Sequence, residues 1–242
     1  MASEIGRIEA LYRYPVKSMR GEPLESAALG WHGLEGDRRL ALRRLDERGG
    51  FPWLSASKLP ELVLFTPQRE NGVNGEALPT HVLTPERQAL PVFGEDLAAE
   101  IERRYKAPVQ MMHLNQGMFD ESTLSVITTD TVQEVCGRGG VAADVRRFRP
   151  NVVVRSTRGI LFEENEWVGG LLSFGEGAAA PVVAVTMRDL RCVMINIDPD
   201  RGSLAHEVLK AVTRANQTDA GVYTTVTRTG RLAVGQRVFL HR

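Results

Sequence analysis

Short apolar runs separated by glycine and proline constrain the fold of this chain more than any other feature of its sequence. Such runs occupy residues 5–14, 151–154, 182–187 and 192–197, and Pro15 ends the first of them. Brief apolar segments between turn-forming residues are typical of β-strands. The pattern therefore predicts a strand-dominated α+β protein.

Other segments extend this pattern along the chain. Residues 40–42, 61–65 and 124–128 are three more strand candidates. Residues 66–91 are rich in Pro, Gly and Asn, which is typical of irregular hairpins. Near the end, residues 221–227 and 231–240 are predicted to pair as a hairpin across the short turn between them.

Helical periodicity is confined to a few segments. Residues 96–105 carry apolar side chains at four-residue spacing, which predicts a helix. A second helix is predicted over residues 129–137, and either of its first two residues can cap it. A helical turn is predicted over residues 144–148, and a last helix, capped by Ser203, is predicted to run to about Ala215. We expect two subdomains that share a long interface, with a boundary between residues 85 and 120.

Charge and composition narrow the range of functions. The chain has 242 residues, 43% of them hydrophobic, so it can bury a substantial core. Because 30 basic and 30 acidic residues balance to zero net charge, bulk nucleic-acid binding is not expected. Nearly all the basic residues are arginines, whose planar fork suits phosphate and carboxylate groups, although genomic base composition explains the same bias.

The cysteine count and the N-terminus indicate the compartment. Two cysteines, Cys136 and Cys192, cannot cross-link a domain of this size, so a reduced, cytoplasmic setting fits best. The first residues lack the basic start and apolar core of a signal peptide, and no apolar run is long enough to cross a membrane. We interpret Cys136 as a core residue at the end of a helix.

Two polar groups near the N-terminus are candidates for an anion site. Lys17 and Ser18 follow Pro15 on a turn, and a cation beside a hydroxyl and free backbone N–H groups suits phosphate. Farther on, Asp37 can orient a neighbouring arginine by a paired hydrogen bond. Taken alone, the first group is explained equally well by an exposed loop lysine. The second is explained equally well by a surface salt bridge.

A third group surrounds Phe148. Arg146, Arg147 and Arg149 precede a buried strand and can clamp a phosphate, while Asn151 can hydrogen-bond a heterocycle. A solvated basic turn is the alternative interpretation.

The fourth group centres on Cys192, which follows Arg191 directly. An adjacent guanidinium favours the thiolate, the form that attacks electrophiles and binds metals. Three interpretations stay open from the residues alone: a buried strand cysteine, a nucleophile with a histidine base, or a metal ligand. No second Cys or His lies nearby at zinc-ligand spacing.

In this order, these groups resemble one family, the MOSC domain proteins with an N-terminal β-barrel domain, which include amidoxime-reducing components. The resemblance implies a β-barrel-like N-terminal domain over residues 1–90 packed on a MOSC β-barrel domain over residues 91–242. The matching segments are residues 14–18, 36–38, 148–151, 191–192, 198–200, 221–223 and 234–235.

The resemblance further implies a molybdenum–pyranopterin cofactor (Mo-molybdopterin) with the Cys192 thiolate as a ligand of the metal. Asn151 and Asp198 would lie close to the metal, Asp198 as a proton relay or an orienting group. The cofactor contacts it implies are Lys17, Ser18, Arg38, Arg39, Thr128, Thr129, Arg147, Arg149 and Arg191.

The implied reaction is the reduction of N-hydroxylated compounds such as amidoximes and hydroxylamines. The sequence ends at Arg242 without a ferredoxin-type domain or a membrane anchor, so a separate flavin-reductase, ferredoxin or cytochrome donor is expected. We expect a monomer that acts on small molecules and binds neither nucleic acid nor membrane. The alternatives are a carrier of the cofactor or of a Cys192 persulfide, and a relative that has lost its cofactor.

The chain departs from the family pattern at several positions. Arg39 stands where an aromatic residue is usual, which makes it an alternative cofactor contact. Arg201 replaces a threonine and Gln236 an aspartate, and Thr128 and Thr129 replace serines.

Overall fold

Strands dominate the computed structural model, which describes residues 2–69, 78–119 and 121–242. In these ranges no helix combines the length and the apolar character that a bilayer crossing demands. The helices are α1 (Glu95–Tyr105), α2 (Thr129–Arg138) and α3 (Glu207–Asn216), with 3₁₀ helices at Pro60–Leu64, Val145–Arg147, Glu163–Trp167 and Val193–Asn196. The strands are β1 (Ala2–Arg13), β2 (Glu22–Leu24), β3 (Ser26–Gly30), β4 (Gly33–Leu34), β5 (Leu40–Arg44), β6 (Thr66–Gln68), β7 (His81–Leu83), β8 (Ala89–Pro91), β9 (Val109–His113), β10 (Leu124–Thr128), β11 (Val152–Ser156), β12 (Leu171–Phe174), β13 (Val182–Leu190), β14 (Asp219–Arg228), β15 (Gly230–Ala233) and β16 (Arg237–His241).

A closed barrel forms the larger part of the fold. Its strand order is β11, β10, β14, β13, β12, β16 and β1, and β1 pairs with β11 to complete the ring. The β10–β11 pair is parallel, whereas the other pairs in the ring are antiparallel. A parallel pair needs a crossover connection, and α2 lies in it.

Alternating side chains along β10 and β11 explain how the barrel is filled and covered. Val126 and Val154 belong to the barrel core. Their neighbours Ile127 and Val153 belong to a separate core formed with α2 and α3. Successive side chains of a strand face opposite sides, so both faces of these strands are buried. This double burial accounts for their uninterrupted apolar runs.

The chain between β1 and β10 builds an N-terminal lobe with its own core. There β5 pairs with β9, and β6, β7 and β8 form a small sheet. Leu42, Leu62 and Ile101 bring β5, a 3₁₀ helix and α1 into this core, and Ile197 joins it from the C-terminal half. The core of the lobe therefore includes a side chain from the C-terminal half of the chain.

The first strand ties the two halves of the sequence together. Although β1 begins the chain, it lies between β16 and β11 in a barrel whose other strands come from residue 124 onward. The division at residue 90 stays a prediction, and the barrel draws on residues from both sides of it.

Two segments predicted as strands are 3₁₀ helices, so both predictions are wrong. Residues 61–65 fall largely within Pro60–Leu64, where a proline in the first turn presets the backbone for a helical start. Residues 192–197 contain Val193–Asn196. There the Asn196 side chain accepts a 2.9 Å hydrogen bond from the Leu209 N–H, which ties the segment to α3.

The predicted C-terminal hairpin and the predicted start of the last helix are also wrong. Both edges of β14 are occupied, by β10 and β13, so β15 pairs with β3 instead. Helix α3 begins four residues later than Ser203, because Ser203 and Leu204 are used in backbone contacts with Asp198 and Ile197.

A buried carboxyl group lies beneath the start of α2. Glu164 is fully buried, and its Oε2 accepts a 3.0 Å hydrogen bond from Thr128 Oγ1. Burial has the largest effect on Glu164 and raises its pKa above the usual value of 4.5. Hydrogen bonds to the side chain lower the pKa by a smaller amount. The folded protein therefore binds this proton more tightly than the unfolded chain does.

Replacing Glu164 with glutamine should stabilise the protein at pH 8 and have little effect near pH 4. A carboxyl with a raised folded-state pKa contributes stability that is fully present below the unfolded value and is lost as pH rises through the folded value. Each unit of the shift corresponds to about 1.4 kcal/mol. Urea denaturation from pH 4 to pH 8 measures the difference, with the exposed neighbour Glu166→Gln as control. A Glu164→Gln protein no more stable than the wild type at pH 8 contradicts this account.

Candidate functional site

A cavity of about 410 Å³ lies between the N-terminal lobe and the barrel. The turn after β1 and the loop after β5 supply one wall, and the end of β13 and the Val145–Arg147 turn supply the other. The fold thus brings distant segments of the chain to one place. The predicted site residues that line the cavity are Lys17, Ser18, Arg38, Arg147, Arg149, Arg191 and Cys192.

Positive charge dominates the wall of this cavity. Among its described lining residues, six are Lys or Arg, whereas only Glu121 and Asp189 carry a carboxyl group. Lys17, Arg147 and Arg191 are each less than a tenth exposed. Asp198 and Asp189 pair with Arg147 and Arg191, yet cationic side chains outnumber carboxyl groups along the cavity wall. The wall therefore suits an anionic ligand.

Two of these arginines lie against the buried ring of Tyr14. The guanidinium carbons of Arg38 and Arg149 are 4.9 and 4.2 Å from the ring centroid. Asp37 is fully buried, pairs with Arg38, and accepts a 2.7 Å hydrogen bond from the Tyr14 N–H at Oδ1. Asp37 therefore contacts Arg38 through one carboxylate oxygen, and the predicted bidentate pair does not form because the other oxygen accepts from the Tyr14 N–H.

Three residues of the cavity have a left-handed backbone conformation. The φ angles of Ser18, Arg38 and Arg149 are 68°, 51° and 51°. This conformation costs a residue with a side chain about 1–2 kcal/mol. Strained backbone of this kind clusters at ligand-binding sites, where the surrounding structure enforces it.

Arg147 is anchored by the C-terminal half of the chain. Its Nη2 donates a 3.0 Å hydrogen bond to Asp198 Oδ2, and its Nη1 donates to the Asn196 carbonyl at 3.3 Å. Its Nε is buried and has no hydrogen-bond partner among the described residues. A buried donor without a partner is costly, so an acceptor atom of a bound ligand would stabilise this arginine.

Cys192 is exposed at the cavity, two residues beyond the end of β13. The preceding Arg191 is buried and directs its three nitrogens at protein groups. Its Nε and Nη1 donate to the carbonyls of Ala220 and Phe148 at 2.6 and 2.7 Å, and its Nη2 lies 2.7 Å from Asp189 Oδ2. Through these contacts Arg191 fixes the position of the wall that carries Cys192.

Asp189 is a functional candidate that the sequence reasoning did not single out. Its carboxylate lines the cavity and accepts a 2.9 Å hydrogen bond from Ser125 Oγ. Burial, the largest influence, raises the pKa of Asp189 to about 6, while Arg191 and hydrogen bonds from Ser125 and Tyr223 oppose the shift. The available signal was a carboxyl group at the end of an apolar strand, three residues before Cys192.

Three predicted cofactor contacts do not line the described part of the cavity. Arg39 donates to the Asn115 carbonyl in an exposed contact. Thr128 is fully buried and caps α2, accepting from the Thr131 N–H at 3.2 Å, and Thr129 begins the helix. The cap is thus Thr128 rather than either predicted residue, and we leave all three out of the proposed site.

Asn151 and Asp198, predicted to lie near a metal, stand one contact behind the described cavity wall. Asn151 Oδ1 accepts from Arg38 Nη1 at 3.3 Å, and its amide donates to the Tyr12 carbonyl at 3.2 Å. Asp198 holds Arg147 as described. Both side chains therefore contact arginines of the wall, and neither is among the residues that line the described cavity.

Comparisons with known proteins agree with this architecture. The MOSC domain model matches residues 86–239, and the MOSC N-terminal beta barrel domain model matches residues 5–129. Mitochondrial amidoxime reducing component 2 of Bos taurus is 22% identical over 289 aligned positions, covering 98% of this chain and 83% of that protein. The YUAD protein from Bacillus subtilis has a similar solved structure, with a TM-score of 0.53 at 13% identity, covering 100% of this chain and 98% of that chain.

The two family models together span most of the sequence and overlap at residues 86–129. The similarity to the solved structure concerns the fold alone at this identity. The resemblance predicted from the short motifs is confirmed. The chain belongs to the MOSC domain family and carries the MOSC N-terminal beta barrel domain.

Proposed function

We propose that the cavity binds a molybdenum–pyranopterin cofactor and that the protein uses it to reduce N-hydroxylated compounds. MOSC domains are associated with molybdenum-cofactor binding, and the bovine relative is named as an amidoxime reducing component. The observation that carries the proposal is the exposed thiol of Cys192 in the same cavity as a set of buried cations.

The donor groups of the cavity fit such a cofactor. A pyranopterin cofactor carries a phosphate, which cationic donors bind, and a metal with soft sulfur ligands, which a thiolate complements. Lys17, Arg38, Arg147 and Arg149 would hold the anionic part, and Cys192 Sγ would hold the metal. The buried Arg147 Nε without a protein partner supports this assignment.

When bound, the cofactor would supply the redox chemistry that takes the oxygen atom from an N–O bond. An amidoxime, two electrons and two protons give an amidine and water, and the electrons would come from a separate donor protein. Among the chain's own groups, the Asp189 carboxyl is suited to hold a proton at the cavity wall, because its pKa is about 6. Ser125 and Arg191 fix its position.

Turnover of an amidoxime by the cofactor-loaded protein tests the proposal. With reduced methyl viologen as the electron source, we expect benzamidoxime to be converted to benzamidine, as measured by chromatography. The Cys192→Ala protein, prepared in the same way, should lack this activity. Wild-type protein that contains molybdenum yet forms no benzamidine contradicts the reductase assignment.

A carrier role is the second candidate, because Cys192 is exposed and thus accessible to another protein. In that role Cys192 would hold a persulfide, or the protein would pass on the cofactor without turnover. Cyanide-labile sulfur in protein free of molybdenum favours the carrier over the reductase.

A further inference from the structure

Exposed apolar side chains surround the mouth of the cavity. Phe51, Met187 and Leu190 line it and are 47%, 42% and 66% exposed. We call these three residues the apolar rim. Phe51 comes from the N-terminal lobe, whereas Met187 and Leu190 come from β13, so the rim draws on both walls.

Irregular pairing of β13 places two members of the rim. Val183 and Val185 belong to the barrel core, and Met187 continues their every-second-residue spacing yet is exposed. The register with β14 shifts between Val185 and Met187, and again between Arg188 and Leu190. Bulges of this kind redirect side chains beside functional sites. The first shift therefore turns Met187, which would otherwise face the core, toward the cavity mouth.

The cavity consequently has two chemically different regions. Lys17, Arg147 and Arg149 provide the cationic part, where the proposed function places the anionic portion of the cofactor. The rim provides apolar surface, and Cys192 follows Leu190 by two residues. Concave sites that combine apolar walls with a few polar groups are typical of small-molecule sites.

We infer that the apolar rim selects substrates whose N-hydroxyl group is attached to an uncharged aromatic or similarly apolar body. This inference rests on the proposed function and specifies its substrate class. Phe51 offers a flat ring, and Met187 and Leu190 offer apolar surface, against which such a body loses contact with water. Because all three line the cavity rather than a flat outer face, a small molecule fits them better than a protein partner.

The test compares benzamidoxime with acetamidoxime, which replaces the phenyl group by a methyl group. The proteins are the cofactor-loaded wild type, Phe51→Ser, Leu190→Ser and the control Trp31→Ser. Trp31 is 64% exposed and does not line the described cavity. Binding is measured by calorimetry on oxidised protein without reductant, and kcat and KM are measured with reduced methyl viologen.

We expect each rim substitution to raise the Kd and KM for benzamidoxime about tenfold. The values for acetamidoxime should stay unchanged in all variants, and Trp31→Ser should match the wild type for both compounds. Thermal unfolding should also stay unchanged, since both replaced rim side chains are exposed. Molybdenum content should stay unchanged in Leu190→Ser. Because the Phe51 ring centroid lies 5.6 Å from Lys17 Nζ, activities are expressed per molybdenum atom for every protein.

Equal losses for both compounds, or no loss for either, overturn the inference. A rim effect that appears only with a protein electron donor, and not with the chemical reductant, also overturns it and identifies the rim as a docking surface. Rim-dependent binding of benzamidoxime without any turnover supports the inference while contradicting the reductase assignment. The two proposals can therefore fail separately.

Discussion

Replacing Arg191 with alanine should lower the free energy of unfolding by about 3–5 kcal/mol at pH 8, the usual loss when one partner of a buried ion pair is removed. Arg191 and Asp189 are 8% and 2% exposed, and Arg191 also satisfies the carbonyls of Ala220 and Phe148. The substitution leaves a buried carboxylate and two buried acceptors without their donor. We expect the loss to be among the largest that any single arginine of the cavity produces.

The loss should shrink as the pH falls. Arg191 lowers the pKa of Asp189 against the larger effect of burial, so its removal raises that pKa above the value of about 6 in the wild type. A carboxyl with a raised folded-state pKa takes up a proton on folding, and the stability it contributes is lost as pH rises through that value. The variant should therefore be closer to the wild type at pH 5 than at pH 8.

Urea denaturation at the two pH values measures both effects. The matched control is Arg188→Ala, because Arg188 is exposed and lies 3.6 Å from Asp219, a surface pair worth about 0–1 kcal/mol. Adding Asp189→Asn to Arg191→Ala should recover part of the stability at pH 8, since the buried charge is then absent. If Arg191→Ala loses no more stability than Arg188→Ala, Arg191 does not fix the cavity wall in the way described.

Local sequence patterns predicted the elements whose environment is uniform along the strand or helix. The apolar run at residues 124–128 matches β10, and the four-residue spacing at residues 96–105 matches α1. In both elements the side-chain pattern follows directly from burial against one or two neighbours. Such elements need no knowledge of which distant segment covers them.

Pairing partners could not be predicted in the same way. The segments β14 and β15 look like a hairpin because they are short, adjacent and joined by a glycine-containing turn. Their actual partners depend on whether other strands already occupy the edges of β14, which is a property of the closed barrel.

The sequence predicted which residues belong to the candidate site better than it predicted what each of them does there. The motifs around Lys17, Arg149 and Cys192 do meet in one cavity. Asn151 and Asp198 look equally suited to a site in sequence, yet each hydrogen-bonds an arginine of the wall and neither lines the described cavity. Asp189 belongs to no motif, and its burial beside Arg191 distinguishes it from the other carboxyl groups that end apolar segments.

Replacing Cys192 with alanine should remove most of the molybdenum from the protein without changing its fold. The thiol is exposed, so its loss removes no core packing, and the substitution eliminates the sulfur atom proposed to hold the metal. Cys136→Ala is the matched control, because that cysteine lies on α2 and is buried in the core that α2 shares with α3.

The direct measurement is the molybdenum content of wild-type, Cys192→Ala and Cys136→Ala proteins purified from a host that makes the cofactor, determined by inductively coupled plasma mass spectrometry. The account predicts nearly stoichiometric molybdenum in the wild type and in Cys136→Ala, and little in Cys192→Ala, although Cys192→Ala should unfold thermally like the wild type and only the buried Cys136→Ala substitution should lower stability. Molybdenum retained in Cys192→Ala at the wild-type level, or absent from the wild type itself, contradicts it.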